Sequence, residues 1–369
     1  MVLPVFQPAS ATVADPFGEH VVCGLALQRT VLGGRFHFCS DSEPLLGLVE
    51  AAYGGLAPGE LPGARDFHVE LRLLPARAKK RDEPPPVCQS AGAGLLCGVM
   101  DESNYVVLDP QGCRALVVAS QDMLAHAYHL RYELIEFAVF TLATRGMGLV
   151  PLHGACLGHA GRGVLLLGES GAGKSTLALH GLLHGLDFLA EDAVFVQPDR
   201  LLATGVPNFL HVRPDALGLL AQSHVRQWLA RSPRITRRSG VAKIEADLRQ
   251  GVGRLAGGPL ELVGAVRVSP ERAAAGEELS GPLAAGEAAA WLAANQPYAA
   301  NQPGWHAFVQ ALVQRGVYVL RRGRDPQASV DALRRLLDRR DAPGETESPS
   351  RQTASGRTTF PRSACTQER

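Results

Sequence analysis

Nine residues constrain this chain more than any others: Gly168-Glu169-Ser170-Gly171-Ala172-Gly173-Lys174-Ser175-Thr176, set between the apolar run Val164 to Leu167 and the helix-forming Leu177-Ala178-Leu179. Glycines at 168, 171 and 173 let the backbone take positive φ and turn its N–H groups inward around a phosphate. A helix that begins at the loop adds the positive end of its dipole. In that setting Lys174 can reach β- and γ-phosphates and Ser175 can ligate Mg2+, so the loop from Gly168 to Thr176 predicts a bound nucleoside triphosphate or a close analogue, with Mg2+. A strand, a glycine loop and a helix in this order also predict an α/β nucleotide-binding domain.

At 369 residues the chain is long enough for two domains. Its 37 Lys and Arg against 36 Asp and Glu leave a formal charge of +1, so nothing global selects nucleic acid or an acidic membrane as a partner. Seven cysteines are scattered without a C-x-x-C pair, which argues against a disulfide framework or a zinc site and for a reducing compartment. The first residues lack a basic segment followed by a long apolar core, and no run of 18 apolar residues occurs. The expectation is a cytoplasmic protein that is neither exported nor membrane-spanning.

Four domains or segments follow from the pattern. Residues 1–120 carry short β-type runs, His20–Leu27, Arg35–Cys39, Phe67–Leu74 and Tyr105–Leu108, separated by Gly, Pro and Asp, and predict a small β-rich domain. Within it, Lys79-Lys80-Arg81-Asp82-Glu83-Pro84-Pro85-Pro86 reads as an exposed loop. Residues 121–148 hold a helix with apolar positions at Leu124, Tyr128, Ile135, Val139 and Leu142, ending near Gly146 or Gly148. Residues 149–340 predict the nucleotide-binding domain: strand, loop, strand, glycine loop, a helix to His184 closed by Gly185, then a strand Asp187–Gln197 that turns at Pro198-Asp199 and pairs back. From Ala216 to Lys243 no acidic residue occurs while arginines accumulate, which predicts a solvated, mobile basic loop, the alternative being that Arg237, Arg238 and Lys243 close over the phosphates or receive an acidic substrate. Further on, Gly251–Val268 and Gly316–Arg321 read as strands, and Ala284–Ala294 and Ser329–Leu337 as helices. The Ser-, Thr-, Arg- and Pro-rich tail at 341–369 predicts disorder.

A glycine loop alone does not separate a kinase from a GTPase or a transporter ATPase. Its neighbours narrow the choice. His153, in Pro151-Leu152-His153-Gly154-Ala155, lies fifteen residues before Gly168, and Glu191-Asp192 lie seventeen and eighteen residues after Lys174. A hairpin before the loop strand, and the strand after the first helix, both return chain ends toward the phosphates. Glu191 or Asp192 can accept a proton from an acceptor hydroxyl or anchor the metal. Arg213, just after a strand, is the arginine best placed by order to stabilise a transferring phosphoryl group.

The run from His153 to Val196 resembles the catalytic domain of HPr serine kinase/phosphorylase and the wider group of HPr-kinase-related proteins. The histidine-glycine pair, the strand and loop ending in Gly-Lys-Ser, and the following acidic pair carry the resemblance. It implies a nucleotide-binding domain like that of phosphoenolpyruvate carboxykinase, with the acidic pair supplying a base for a serine hydroxyl and a Mg2+ contact. It further implies catalytic roles for Glu191, Asp192, His153 and Lys174, and Mg2+ on Ser175 and Asp192. The chain departs from the family where Glu191-Asp192 replaces two aspartates, and it shows no glycine-rich signature segment with its arginine. Its N-terminal half does not resemble the regulatory domain of the true HPr kinases. It looks more like the divergent relatives, which include kinases acting on small peptides or proteins during peptide-natural-product assembly.

These readings lead to a phosphotransferase that moves the γ-phosphoryl group of ATP to a serine of a protein or peptide partner, with a homo-oligomer allowed. An ABC-type ATPase would place its acidic residues far downstream, and a GTPase would carry an Asn-Lys-x-Asp motif, which is absent. Two alternatives stay open: a catalytically weak nucleotide sensor and a kinase for a small metabolite.

Overall fold

The computed structural model describes residues 23–77, 83–274, 276–323 and 325–339, and the structural statements that follow concern these. The tail expected at 341–369 and the basic trio Lys79-Lys80-Arg81 lie outside them. The architecture is mixed α/β.

The first sheet has seven strands in the order β1-β2-β3-β7-β6-β5-β4. They are β1 (Leu25–Val31), β2 (Gly34–Ser40), β3 (Asp66–Leu74), β4 (Cys88–Gly92), β5 (Leu95–Asp101), β6 (Asn104–Asp109) and β7 (Arg114–Ser120). Strands β1 and β2 form a hairpin whose two central residues, Leu32 and Gly33, both take positive φ, as a turn matched to strand twist requires. Between β2 and β3 the chain forms helix α1 (Glu43–Tyr53), which the sequence reading missed. Its start is nonetheless written locally: Ser42 caps Leu45 N–H at 3.4 Å and a proline occupies the first turn.

The expected helix over 121–148 forms in stages. A 3₁₀ turn (Gln121–His126) leads into α2 (Ala127–His129), a π-helical turn (Leu130–Ile135) and α3 (Glu136–Met147), which Gly148 ends in the left-handed conformation at φ 64°. This segment and α1 cover the first sheet and bury Phe36, Phe38, Phe67, Leu134 and Leu142.

The second sheet has ten strands, and helices line both of its faces. Its strands are β8 (Val150–His153), β9 (Ala155–His159), β10 (Arg162–Leu167), β11 (Asp187–Ala190), β12 (Ala193–Gln197), β13 (Leu202–Thr204), β17 (Arg254–Leu255), β18 (Leu260–Arg272), β19 (Leu279–Pro282) and β20 (Val317–Arg322). Helix α4 (Lys174–Leu183) follows β10, and α5 (Ser223–Arg231), α6 (Ala285–Asn295), α7 (Pro297–Ala300), α8 (Trp305–Arg315) and α9 (Pro326–Asp338) come later. A small sheet is built from β14 (Phe209–Val212), β16 (Ala242–Asp247) and β15 (Arg234–Thr236). Side chains alternate along β10, so Val164 and Leu166 pack in the core with α4 and α9 while Leu165 and Leu167 pack with α6 and α8. Strands β10, β18 and β20 run parallel, which gathers their carboxyl ends beside the glycine loop.

Two expectations change. Asp187–Gln197 is not one strand: it breaks at Glu191-Asp192, because Asp192 takes φ 83°, and the halves join different neighbours, β11 pairing with β9 and β12 with β8. The basic stretch from 216 to 243 is ordered as α5 and the β15–β16 hairpin, since Val225, Leu229, Ile235 and Ile244 are buried. Among the described residues no helix is long and apolar enough to cross a membrane.

Phe67 stacks on Phe36 at 4.7 Å between ring centroids and is fully buried. Replacing it with alanine should destabilise the protein by about 3–5 kcal/mol in urea unfolding, the range for truncating a buried aromatic ring.

Candidate active site

Backbone sterics fix the loop. Gly168 sits at φ 146°, and a Cβ there would lie 2.8 Å from the Val268 carbonyl oxygen, so glycine is required on both counts. Gly173, at φ 103°, precedes the first residue of α4. Lys174 is buried and donates from Nζ to the carbonyls of Gly168 at 2.7 Å and Glu169 at 3.1 Å. Burial pushes its pKa down, against the pull of Asp192 and Glu191. Arg322, at the end of β20, donates to the carbonyls of Gly171 at 3.1 Å and Ala172 at 2.9 Å and so braces the loop from outside.

The break between β11 and β12 separates the acidic pair. Glu191, with its side chain 2% exposed, accepts a hydrogen bond from Ser175 Oγ and another from the His211 backbone N–H at 3.2 Å, with Lys243 Nζ 3.8 Å away. Burial would raise its pKa, but His211 and Lys243 outweigh that and hold the carboxyl below its ordinary range. Asp192 is 31% exposed and pairs with Arg237 at 2.7 Å. Here too burial would raise the pKa, and Arg237, Lys243 and His153 lower it. His153 lies with Nδ1 3.3 Å from Asp192 Oδ1 and 3.1 Å from the Asp192 carbonyl oxygen. Gln296 clasps the His153 backbone at both its N–H, 2.8 Å, and its C=O, 3.0 Å.

Behind Glu191 the polar contacts continue inward. His211, on β14, lies between Glu191 and Glu245, 3.5 Å from each. Tyr132 Oη donates to Glu245 at 2.5 Å and lies 3.0 Å from His211 Nε2, while Arg131 pairs with Glu245 at 2.5 Å. Burial would lower the His211 pKa, but the two carboxylates raise it above 6.5. A hydrogen-bonded path therefore runs from Ser175 on α4 to the helical segment at 127–147.

These groups open on a cleft of about 1020 Å³ that holds residues 170–177, His153, Glu191, Asp192 and Arg213. Seven Lys and Arg side chains line it against three carboxylates, a balance that favours a polyanion. Arg213 is exposed on its wall, on the chain just after β14. Among the described residues no group of three or more His, Cys, Asp or Glu is arranged to hold a metal by itself. Mg2+ is ordinarily held by one or two carboxylates together with phosphates and water, and Ser175 Oγ with the nearby acidic pair is a donor set of that kind.

No family model matches the chain. A 108-residue stretch is 32% identical to an HPr kinase/phosphorylase of Xanthomonas euvesicatoria, over 29% of this chain and 30% of that protein. A 77-residue stretch is 46% identical to an HPr kinase/phosphorylase of Cupriavidus necator, over 19% of this chain and 23% of that protein. Over these stretches the chain is similar to HPr kinases, and the two matches support a divergent HPr-kinase-related family. The aligned stretches span less than a third of either HPr kinase, so the likeness supports a kinase-related function and nothing finer.

Several residues around the acidic pair carry little or no signal in the sequence. For Arg237 and Lys243 the pattern favours a solvated loop over closure toward the site, yet the β15–β16 hairpin turns them onto the acidic pair. Arg322, Gln296, His211 and Glu245 come from strands and turns far from the loop in sequence, and no local pattern marks them. One signal was available for Arg322: in parallel sheets, residues just past the strand ends face the ligand crevice.

Glu136, at the start of α3, is 13% exposed, and its nearest cation is Arg131 Nε at 4.0 Å. Burial pushes its carboxyl up to about 8 from 4.5. A carboxyl raised in this way gives stability that is complete below about pH 4.5 and is lost as the pH rises toward 8. Glu136→Gln, neutral at every pH, should therefore match the wild type in melting temperature near pH 4.5 and exceed it increasingly up to pH 8.5; parallel curves would show that Glu136 is charged throughout.

Proposed function

We propose that this protein is an ATP- and Mg2+-dependent kinase that transfers a γ-phosphoryl group to a serine hydroxyl of a protein or peptide. One observation carries the reading: the glycine loop, Lys174 and Ser175 share a cationic cleft with Glu191 and Asp192, and Ser175 is hydrogen-bonded to Glu191. In this reading residues 149–340 form a nucleotide-binding module of the HPr kinase and phosphoenolpyruvate carboxykinase type. Residues 1–120 form a smaller β-rich module, and residues 121–148 link the two. The setting is cytoplasmic.

Each side chain has a distinct part. The loop amides from Gly168 to Thr176 and the α4 N-terminus receive the phosphates, and Lys174, now held by loop carbonyls, turns to them. Ser175 and Asp192 hold Mg2+, which neutralises charge on the phosphates when bound. Glu191 is too buried and too fully partnered to meet an acceptor, so it fixes Ser175. Asp192, more exposed, takes the acceptor proton. His153 orients Asp192. Arg237, beside Asp192, is better placed than the exposed Arg213 to meet charge on the transferring group.

The test uses purified protein with γ-labelled ATP, Mg2+ and peptide and protein extract of the host. Wild type should label a discrete acceptor. Lys174→Ala should reduce labelling at least 100-fold, and Asp192→Asn should reduce it by about 10²–10⁴ while nucleotide binding persists. ATP binding by the wild type with neither transfer nor hydrolysis would replace this reading with a nucleotide sensor.

A further inference from the structure

On the far side of the acidic pair lies a second cavity, of about 420 Å³. It shares Glu191, Asp192, Arg237 and Ser239 with the nucleotide cleft, so those side chains form the partition between the two spaces. Its opposite wall comes from the helical segment, through Tyr128, Tyr132, Glu136 and Phe140. A space of this size admits a drug-sized molecule or a residue or two of extended chain, and it excludes the face of a folded domain.

The charges in the wall say more. Arg237 is matched by Asp192, Arg238 by Glu133, and His211 by Glu191 and Glu245. The carboxyl of Glu136 makes no hydrogen bond among the described residues and has no cation closer than the 4.0 Å of Arg131 Nε. It lies in a wall that also carries the rings of Tyr128, Tyr132 and Phe140. A protonated amine brought there would pair with this weakly matched carboxylate and lie against an aromatic face. It would also remove the cost of ionising Glu136, whose burial otherwise keeps it protonated up to about pH 8.

We propose that this cavity is the acceptor pocket and that it takes a small alcohol carrying a protonated amine, with the amine at Glu136 and the hydroxyl at Asp192. The inference rests on the kinase reading above. In the transfer, the acceptor oxygen forms a bond to the γ-phosphorus as the bond from that phosphorus to the β–γ bridging oxygen breaks. The electron pair of the broken bond leaves with ADP, and the hydroxyl proton passes to Asp192. The same chemistry is offered by a free amino alcohol and by a serine at the amino end of a peptide.

Calorimetry with the full chain and a non-hydrolysable ATP analogue tests it with four probes: serinamide, N-acetylserinamide, a hexapeptide headed by serine, and that peptide acetylated. At least one aminated probe should bind tenfold or more tightly than its acetylated twin. Glu136→Gln should erase the difference, and Val206→Phe, which fills the cavity, should abolish binding; the ATP analogue binding as to wild type shows that both variants fold. Serinamide alone binding would point to a free metabolite, and the peptide binding as well would point to a peptide acceptor. Equal binding of each pair, or an aminated preference untouched by Glu136→Gln, overturns the assignment, as does the absence of binding by all four. Binding of the aminated probes with no ADP formed from ATP would leave the pocket in place and remove the kinase reading.

Discussion

A carboxylate buried to 2% exposure sets the terms for everything near the glycine loop. Glu191 can stay ionised there only if several donors converge on it, because an unpaired buried charge costs several kcal/mol. The partners come from three separate elements: hydrogen bonds from Ser175 on α4 and His211 on β14, and the charge of Lys243 on β16. Satisfying one side chain therefore ties the first helix after the loop to a hairpin some fifty residues further along the chain. His211 in turn requires Glu245, and Glu245 requires Tyr132 and Arg131, so the same need reaches the helical segment beside the first sheet.

The break in the strand at Asp192 is the second consequence of this arrangement. Two neighbouring residues on an unbroken strand point to opposite faces, one in and one out. With φ at 83°, Asp192 leaves the strand geometry, and the chain crosses from the β9 edge to β8. A non-glycine residue in this conformation costs of order 1–3 kcal/mol and persists where its surroundings hold it. Here the Asp192 side chain is held by Arg237, its carbonyl oxygen by His153, and that same carbonyl accepts from Gly154 N–H at 3.2 Å. The result is one acidic residue committed to the interior and one turned to the space where two cavities meet.

Much of the architecture was legible in advance. Period-2 apolar runs located β2, β3, β6 and β20 to within a residue or so, and the glycine loop located β10 and α4, because these signals depend only on nearest neighbours. Helix α1 was hidden by its setting among strands, although Ser42 and the following proline announce it. The acidic pair was recognised, but the different settings of its two members were not, since the fold decides which carboxylate is buried and which is part-exposed. The basic stretch was misread for the same reason. Charge without nearby acidic residues looks solvated in one dimension, whereas here the acidic partners of Arg237 and Lys243 arrive from the other end of the site.

The sequence by itself determined the positive-φ loop, the lysine and serine that follow it, and the spacing to an acidic pair, all properties of a continuous segment with fixed backbone requirements. Only the tertiary structure decided which arginine meets Asp192, which histidine supports Glu191, and that a second cavity lies behind them. Those choices depend on long-range strand pairing and on which groups lose contact with water. Neither is encoded in the spacing of residues along a single stretch of chain.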